Sequence, residues 1–183
     1  MSCRFTPFLL AAFLAGAISI ASAQSLPNPS LTPGAINPSV TQQNISSTIC
    51  ERGWTATIRP PEPYTEKLKR EQIAAYGYRD HRLRDYEEDH LVPLGLGGAP
   101  SDPRNLWPEP HLGPNEWGSY AKDRLEARLS ELVCDGTLPL ETARTAIASD
   151  WIAAYRKYIG PDPDNRPLDY QRHRPDHYRH WYN

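Results

Sequence analysis

The chain predicts an α+β fold: a small, mainly helical domain with a short pair of strands at its centre. Three observations lead there. Apolar residues repeat at helical spacing over residues 116–133, where Leu125, Leu129, Leu132 and Val133 align, and over 140–158, with Ile147, Trp151, Ala154, Tyr155 and Tyr158 on one stripe. Between 86 and 110 lie two shorter runs parted by glycines, too short for helices. Nineteen prolines against eleven glycines in 183 residues imply short elements joined by stiff connectors. The length suits one domain with extensions and excludes repeat arrays. A hydrophobic fraction of 39% and a mean hydropathy of -0.65 fit a small soluble protein. A net charge of -2 excludes a uniformly basic, histone-like or membrane-coating mode of action, so any polyanion must be met by a local patch.

In chain order, residues 1–23 carry Arg4, an apolar run and then Ala21-Ser22-Ala23, the pattern of a signal peptide cut between Ala23 and Gln24. The apolar run falls short of the roughly 20 residues of a membrane span, and no later segment reaches that length, so the mature chain is expected to be secreted or periplasmic without a span. Cleavage removes Cys3 and leaves Cys50 and Cys134, either as a disulfide suited to an oxidising compartment or as two buried thiols. Residues 24–47, rich in Pro, Ser, Asn and Thr, read as a flexible leader. The folded domain is expected over 48–160. Trp54-Thr55-Ala56-Thr57-Ile58 is a β-prone run stopped by Pro60-Pro61. Thr65 is the expected N-cap of a helix over 66–76, with Gly77 at its end. Helices over 116–133 and 140–158 follow, the second stopped by Gly160-Pro161. Residues 161–183 read as a mobile tail, near neutral in charge, whose His173, His177 and His180 suggest no more than adventitious metal or acid-dependent nucleic-acid contact.

The chemically informative stretch is Glu87-Glu88-Asp89-His90, then Pro93-Leu94-Gly95-Leu96-Gly97-Gly98, then Asn105-Leu106-Trp107-Pro108-Glu109 and a helix. The order strand, glycine-rich loop, strand, helix resembles the ββα-metal motif of the HNH endonuclease superfamily. More loosely, the region from Cys50 to Tyr158 resembles small secreted bacterial proteins with an EDH…PL.LGG…NLWPE signature. The resemblance implies a phosphodiester hydrolase acting on DNA ahead of RNA, with one divalent ion, Mg²⁺ first and Mn²⁺, Ni²⁺ or Zn²⁺ as alternatives.

The implied roles agree with the chemistry of the side chains. His90 can take a proton from an attacking water near neutral pH. Asp89 is a hard oxygen ligand for the ion. Asn105 would orient His90 by hydrogen-bonding loop backbone. Strand alternation puts Glu87 with Asp89 on one face and Glu88 with His90 on the other, so convergence of base and ligand predicts a bulge or twist near Asp89. The family's third residue, a His or Asn in the first turn of the helix, has no clear counterpart; Asn115, His111 and Glu126 are weak candidates. Lys122 and Glu126 edge onto the buried stripe of that helix, and Lys122 is either a phosphate contact or a snorkelling lysine with an i,i+4 partner. Structural zinc is disfavoured, since no Cys-x-x-C is present. The competing reading from another class is a catalytically idle module of the same scaffold that binds nucleic acid or a protein partner in the cell envelope. On the substrate side, Arg52, Arg59, Lys67, Lys69, Arg70, Arg79, Arg82 and Arg84, interleaved with Tyr64, Tyr76 and Tyr78, either track a nucleic-acid backbone or form a solvated face.

Overall fold

The computed structural model describes residues 25–164. Residues 1–24, read from sequence as a signal peptide and its cleavage site, and the tail from 165 with its three histidines lie outside the described residues. The chain is mixed helix and sheet. Four α-helices, α1 (Trp54–Ile58), α2 (Glu62–Ala75), α3 (Ser119–Cys134) and α4 (Leu140–Tyr158), surround an antiparallel pair, β1 (Tyr86–His90) and β2 (Leu106–Pro110).

The main core lies between α3 and α4. Leu125, Leu129 and Val133 of α3 meet Ala143, Ile147 and Trp151 of α4, and Val92 and Leu96 from the β1–β2 loop close one side. Trp117 stands edge-on to Trp151 and Tyr155, 5.8 and 5.3 Å between ring centroids, and locks the start of α3 to the end of α4. α4 has the expected bounds but is broken at Asp150, which leaves helical geometry and whose side chain accepts from the Ala153 amide as an internal cap. Cys50 and Cys134 form a disulfide that ties the turn before α1 to the last residue of α3. No helix among the described residues is long and apolar enough to cross a membrane.

Several expectations need correction. The stretch read as a flexible leader is packed from Ser25 onward. Trp151 Nε1 donates to the Ser25 carbonyl (2.7 Å), the buried Thr32 hydroxyl donates to Leu106 O (3.1 Å), Asn37 N reaches Gly97 O, and Ile36 forms a bridge with Gly98. Val40 and Ile49 enter the core. A polar, proline-rich strip can pay its ordering entropy when its few apolar residues are buried and its backbone groups find partners, and its prolines already restrict the unfolded chain. The Trp54–Ile58 run is helix rather than strand: between Gly53 in the left-handed region (φ 80°) and Pro60 no strand lies beside it, and packing context overrides β propensity. Thr65 does not cap α2, which starts at Glu62 with Pro63 in its first turn; the Thr65 hydroxyl instead donates to Glu62 O. α3 starts at Ser119 rather than 116, because Asn115 and Glu116 take positive φ (54° and 67°) in a tight turn that cannot continue a helix. Gly118 holds the position before the first turn of α3.

Candidate active site

β1 and β2 pair in unbroken register, with Glu87 opposite Glu109, Asp89 opposite Trp107 and His90 opposite Leu106. The expected bulge at Asp89 is absent. His90, the last residue of β1, nonetheless lines the same cavity as Glu87 and Asp89. This cavity, about 60 Å³, has walls from α1 (Thr55, with Arg59 just beyond), β1 (Glu87, Asp89, His90), the loop at Pro93–Gly95, and α3 (Asp123, Glu126, Ala127, Ser130).

His90 is 6% exposed, and its Nε2 lies 2.9 Å from the Pro100 carbonyl. A carbonyl only accepts, so Nε2 carries the proton and Nδ1 is left with the lone pair. Burial lowers the His90 pKa, against the pull of the Pro100 carbonyl and Asp89, which keeps the ring neutral and basic at neutral pH. Asn105, fully buried, spans the loop: Oδ1 accepts from Val92 N, and Nδ2 donates to Val92 O and to Ala99 O, next to Pro100. The loop that supplies the Pro100 carbonyl is thereby fastened at both ends. Gly98 is required at this point, since a Cβ there would collide with the Val92 carbonyl and press on the Asn105 amide.

Lys122 is 1% exposed, and its three ammonium protons have three acceptors: Asp89 Oδ2 (2.5 Å), His90 O (2.8 Å) and Glu126 Oε1. The i,i+4 partner of the second alternative is present as Glu126, but at 1% exposure the ammonium does not snorkel; it turns inward. Burial alone would lower its pKa, but Asp89, Glu126 and Glu109 hold it well above the ordinary lysine value. Asp89 is desolvated by burial, yet Lys122 keeps its pKa below the usual carboxylate range. Glu109, at 0% exposure, has no donor on either oxygen and stands beside Asp89. Burial and then Asp89's charge push its pKa well up, against the pull of Lys122.

The remaining carboxylates of the cavity are short of positive charge. Burial, then Asp89, raises Glu87 to about 7; burial, partly offset by Lys122, raises Glu126 to about 7; burial, then Glu126 and Glu87, pushes Asp123 well above its ordinary value. Four carboxylates thus line a small cavity, two of them bonded to the Lys122 ammonium. Their donors are hard oxygens, the type a divalent Mg²⁺-like ion takes. Among the described residues no group of three His, Cys, Asp or Glu side chains stands ready-made as a metal site.

No family model, curated protein or solved structure matches this chain.

Of the candidates from sequence, Asp89, His90, Lys122 and Glu126 come together, and Asn105 buttresses them from behind. Asn115 is exposed in its turn and His111 lies outside the cavity, stacked on Tyr120 with Nδ1 2.9 Å from the Ser119 hydroxyl. Sequence reasoning missed Asp123 and Glu109. Asp123 lies one step off the buried stripe of α3, so helical periodicity does not single it out; Glu109 stands among prolines, although its pairing opposite Glu87 follows from any regular hairpin register.

Proposed function

We propose that the chain is a secreted or periplasmic, divalent-metal-dependent endonuclease of the HNH type, hydrolysing phosphodiester bonds of DNA or, second, of RNA. The reading rests on one juxtaposition: a neutral imidazole whose Nε2–H is held by a backbone carbonyl shares a cavity wall with an ionised aspartate. His90 Nδ1 takes the proton of an attacking water, and Asp89 close by steadies the imidazolium that results. Asn105 acts at a distance, fixing the loop carbonyl that aims the ring. Lys122 holds Asp89 in place through a buried ion pair. Asp89, with Glu87, Asp123 and Glu126 around it, would hold the divalent ion, which when bound relieves charge on the phosphate and the departing 3′ oxygen. The Cys50–Cys134 bridge supports the expected oxidising compartment.

One observation favours the second reading, the idle binding module: the Lys122 ammonium already meets the charge of Asp89. Nicking of supercoiled plasmid by purified mature protein, with Mg²⁺ or Mn²⁺ and with a chelator, separates the two. Metal-dependent nicking abolished by the chelator is expected. Duplex binding without cleavage under any divalent ion overturns the nuclease reading in favour of the module.

A further inference from the structure

We propose that Arg59 is the residue that takes a backbone phosphate of the polynucleotide at the mouth of the cavity; this rests on the nuclease reading and adds the anchor for its substrate. The observation behind it is a sorting of the basic stretch by ion pairs. Lys67 is matched to Glu71, Lys69 and Arg70 to Glu66, Arg82 to Asp80 and Asp85, and Arg84 to Asp85. Among the described residues Arg52, Arg59 and Arg79 have no carboxylate within ion-pair distance, and of these only Arg59 lines the cavity.

The electrostatics of the cavity make such a group necessary. The charge of Asp89 on its wall repels a phosphodiester, and Lys122 has given all three protons to Asp89, His90 O and Glu126. Arg59 is the remaining cation of the lining and the only one exposed to solvent. Its backbone is pre-set. It follows α1 in extended geometry (φ -62°, ψ 130°) and precedes Pro60-Pro61, which disfavour any return to helix. Pro60 is buried, Thr55 anchors α1 at 5% exposure, and the disulfide fastens the chain just upstream. A guanidinium on a fixed stem, with planar paired donors and no internal carboxylate to release first, suits bidentate capture of a phosphate.

The test compares parent, Arg59→Ala, Arg59→Lys and Arg79→Ala on supercoiled plasmid with Mg²⁺ over a salt series, and measures binding of a labelled DNA duplex in a His90→Ala background, where the duplex survives. Arg59→Ala is expected to raise KM on the order of tenfold with kcat little changed and to reduce the slope of log(kcat/KM) against log[salt] by about one. Arg59→Lys restores the slope, and Arg79→Ala behaves as the parent. Equality of Arg59→Ala with the parent, or an equal loss in Arg79→Ala, overturns the assignment. A parent that binds duplex through Arg59 but does not nick it refutes the nuclease reading and keeps this one; a parent that does neither refutes both.

Discussion

The two faces of β1 each bury an acid, and they differ in what surrounds it. On one face Glu87 and Asp89 meet α3, where Asp123 and Glu126 line a cavity shared with His90 and the exposed Arg59, and Lys122 is bonded to Asp89. On the other, Glu88 looks toward α2 with both carboxylate oxygens buried and unpartnered, while Lys69 nearby is engaged by Glu66 (2.8 Å) and the Tyr86 carbonyl. Tyr76, Tyr78 and Tyr86 pack together on that side, with Tyr78 and Tyr86 stacked 5.4 Å apart between ring centroids. A buried carboxylate without a partner is a source of pH sensitivity. A carboxylate with space, a counter-cation and a base has the parts for chemistry.

The largest expected stability effect breaks the α3 face outright. Lys122→Ala strands Asp89 and Glu126 without their common partner and should cost about 3–5 kcal/mol in urea denaturation, with Lys122→Met no better, because the loss is the unpaired charge and not the volume. A loss under 1 kcal/mol would mean that the carboxylates find protons or another cation instead. Of similar size, removing the Cys50–Cys134 bridge by paired Ala substitutions should lower stability by about 3–5 kcal/mol in the chain-entropy account, and release the wall that carries Arg59. Asn105→Leu should cost about 2–3 kcal/mol, since three hydrogen bonds are lost and buried backbone groups go unsatisfied. It should also depress nicking in protein that remains folded.

The smallest effect sharpens the contrast through pH. Folded-state pKa values raised to about 8 for Glu88 and about 7 for Glu87 and Glu126 mean that the native state holds protons the unfolded chain releases. Stability from these groups is therefore fully present below their ordinary pKa near 4.5 and is lost as pH rises toward 8. His90 works in the opposite sense: its lowered pKa makes the fold lose stability as pH falls through the ordinary histidine value. Melting curves should thus show Tm falling from about pH 6.5 to pH 8. Mg²⁺ should flatten the part due to Glu87 and Glu126, whereas Glu88→Gln should flatten the part due to Glu88, by on the order of 1 kcal/mol at the upper end. Equal action of Mg²⁺ on parent and on a Glu87→Gln/Glu126→Gln variant would erase the distinction between the faces.

What the sequence made legible follows the reach of local rules. The α4 bounds, Gly77 in the left-handed region at the end of α2, and the disulfide could be read because periodicity, chain punctuation and cysteine parity are local or countable. Asn105 lies where loop geometry needs it, as read from the motif. The packed leader was illegible because its partners, Arg104, Leu106, Gly97 and Trp151, are far along the chain, and nothing in a polar strip announces them. The short α1 was misread because two β-branched threonines carry a preference that only neighbouring strands could have realised. The burial of Lys122 was half legible: helical phase put it at the stripe, but only the hairpin's position behind α3 reveals that it turns inward to Asp89.

The central claim, that chemistry belongs to the α3 face of β1 and not to the α2 face, is tested most directly by plasmid nicking with Mg²⁺ for His90→Ala and Glu88→Gln beside the parent. A fall of roughly 10²–10⁴-fold for His90→Ala, with circular dichroism unchanged, and near-parental rate for Glu88→Gln is the expected result. A His90→Ala protein that nicks as fast as the parent would contradict it.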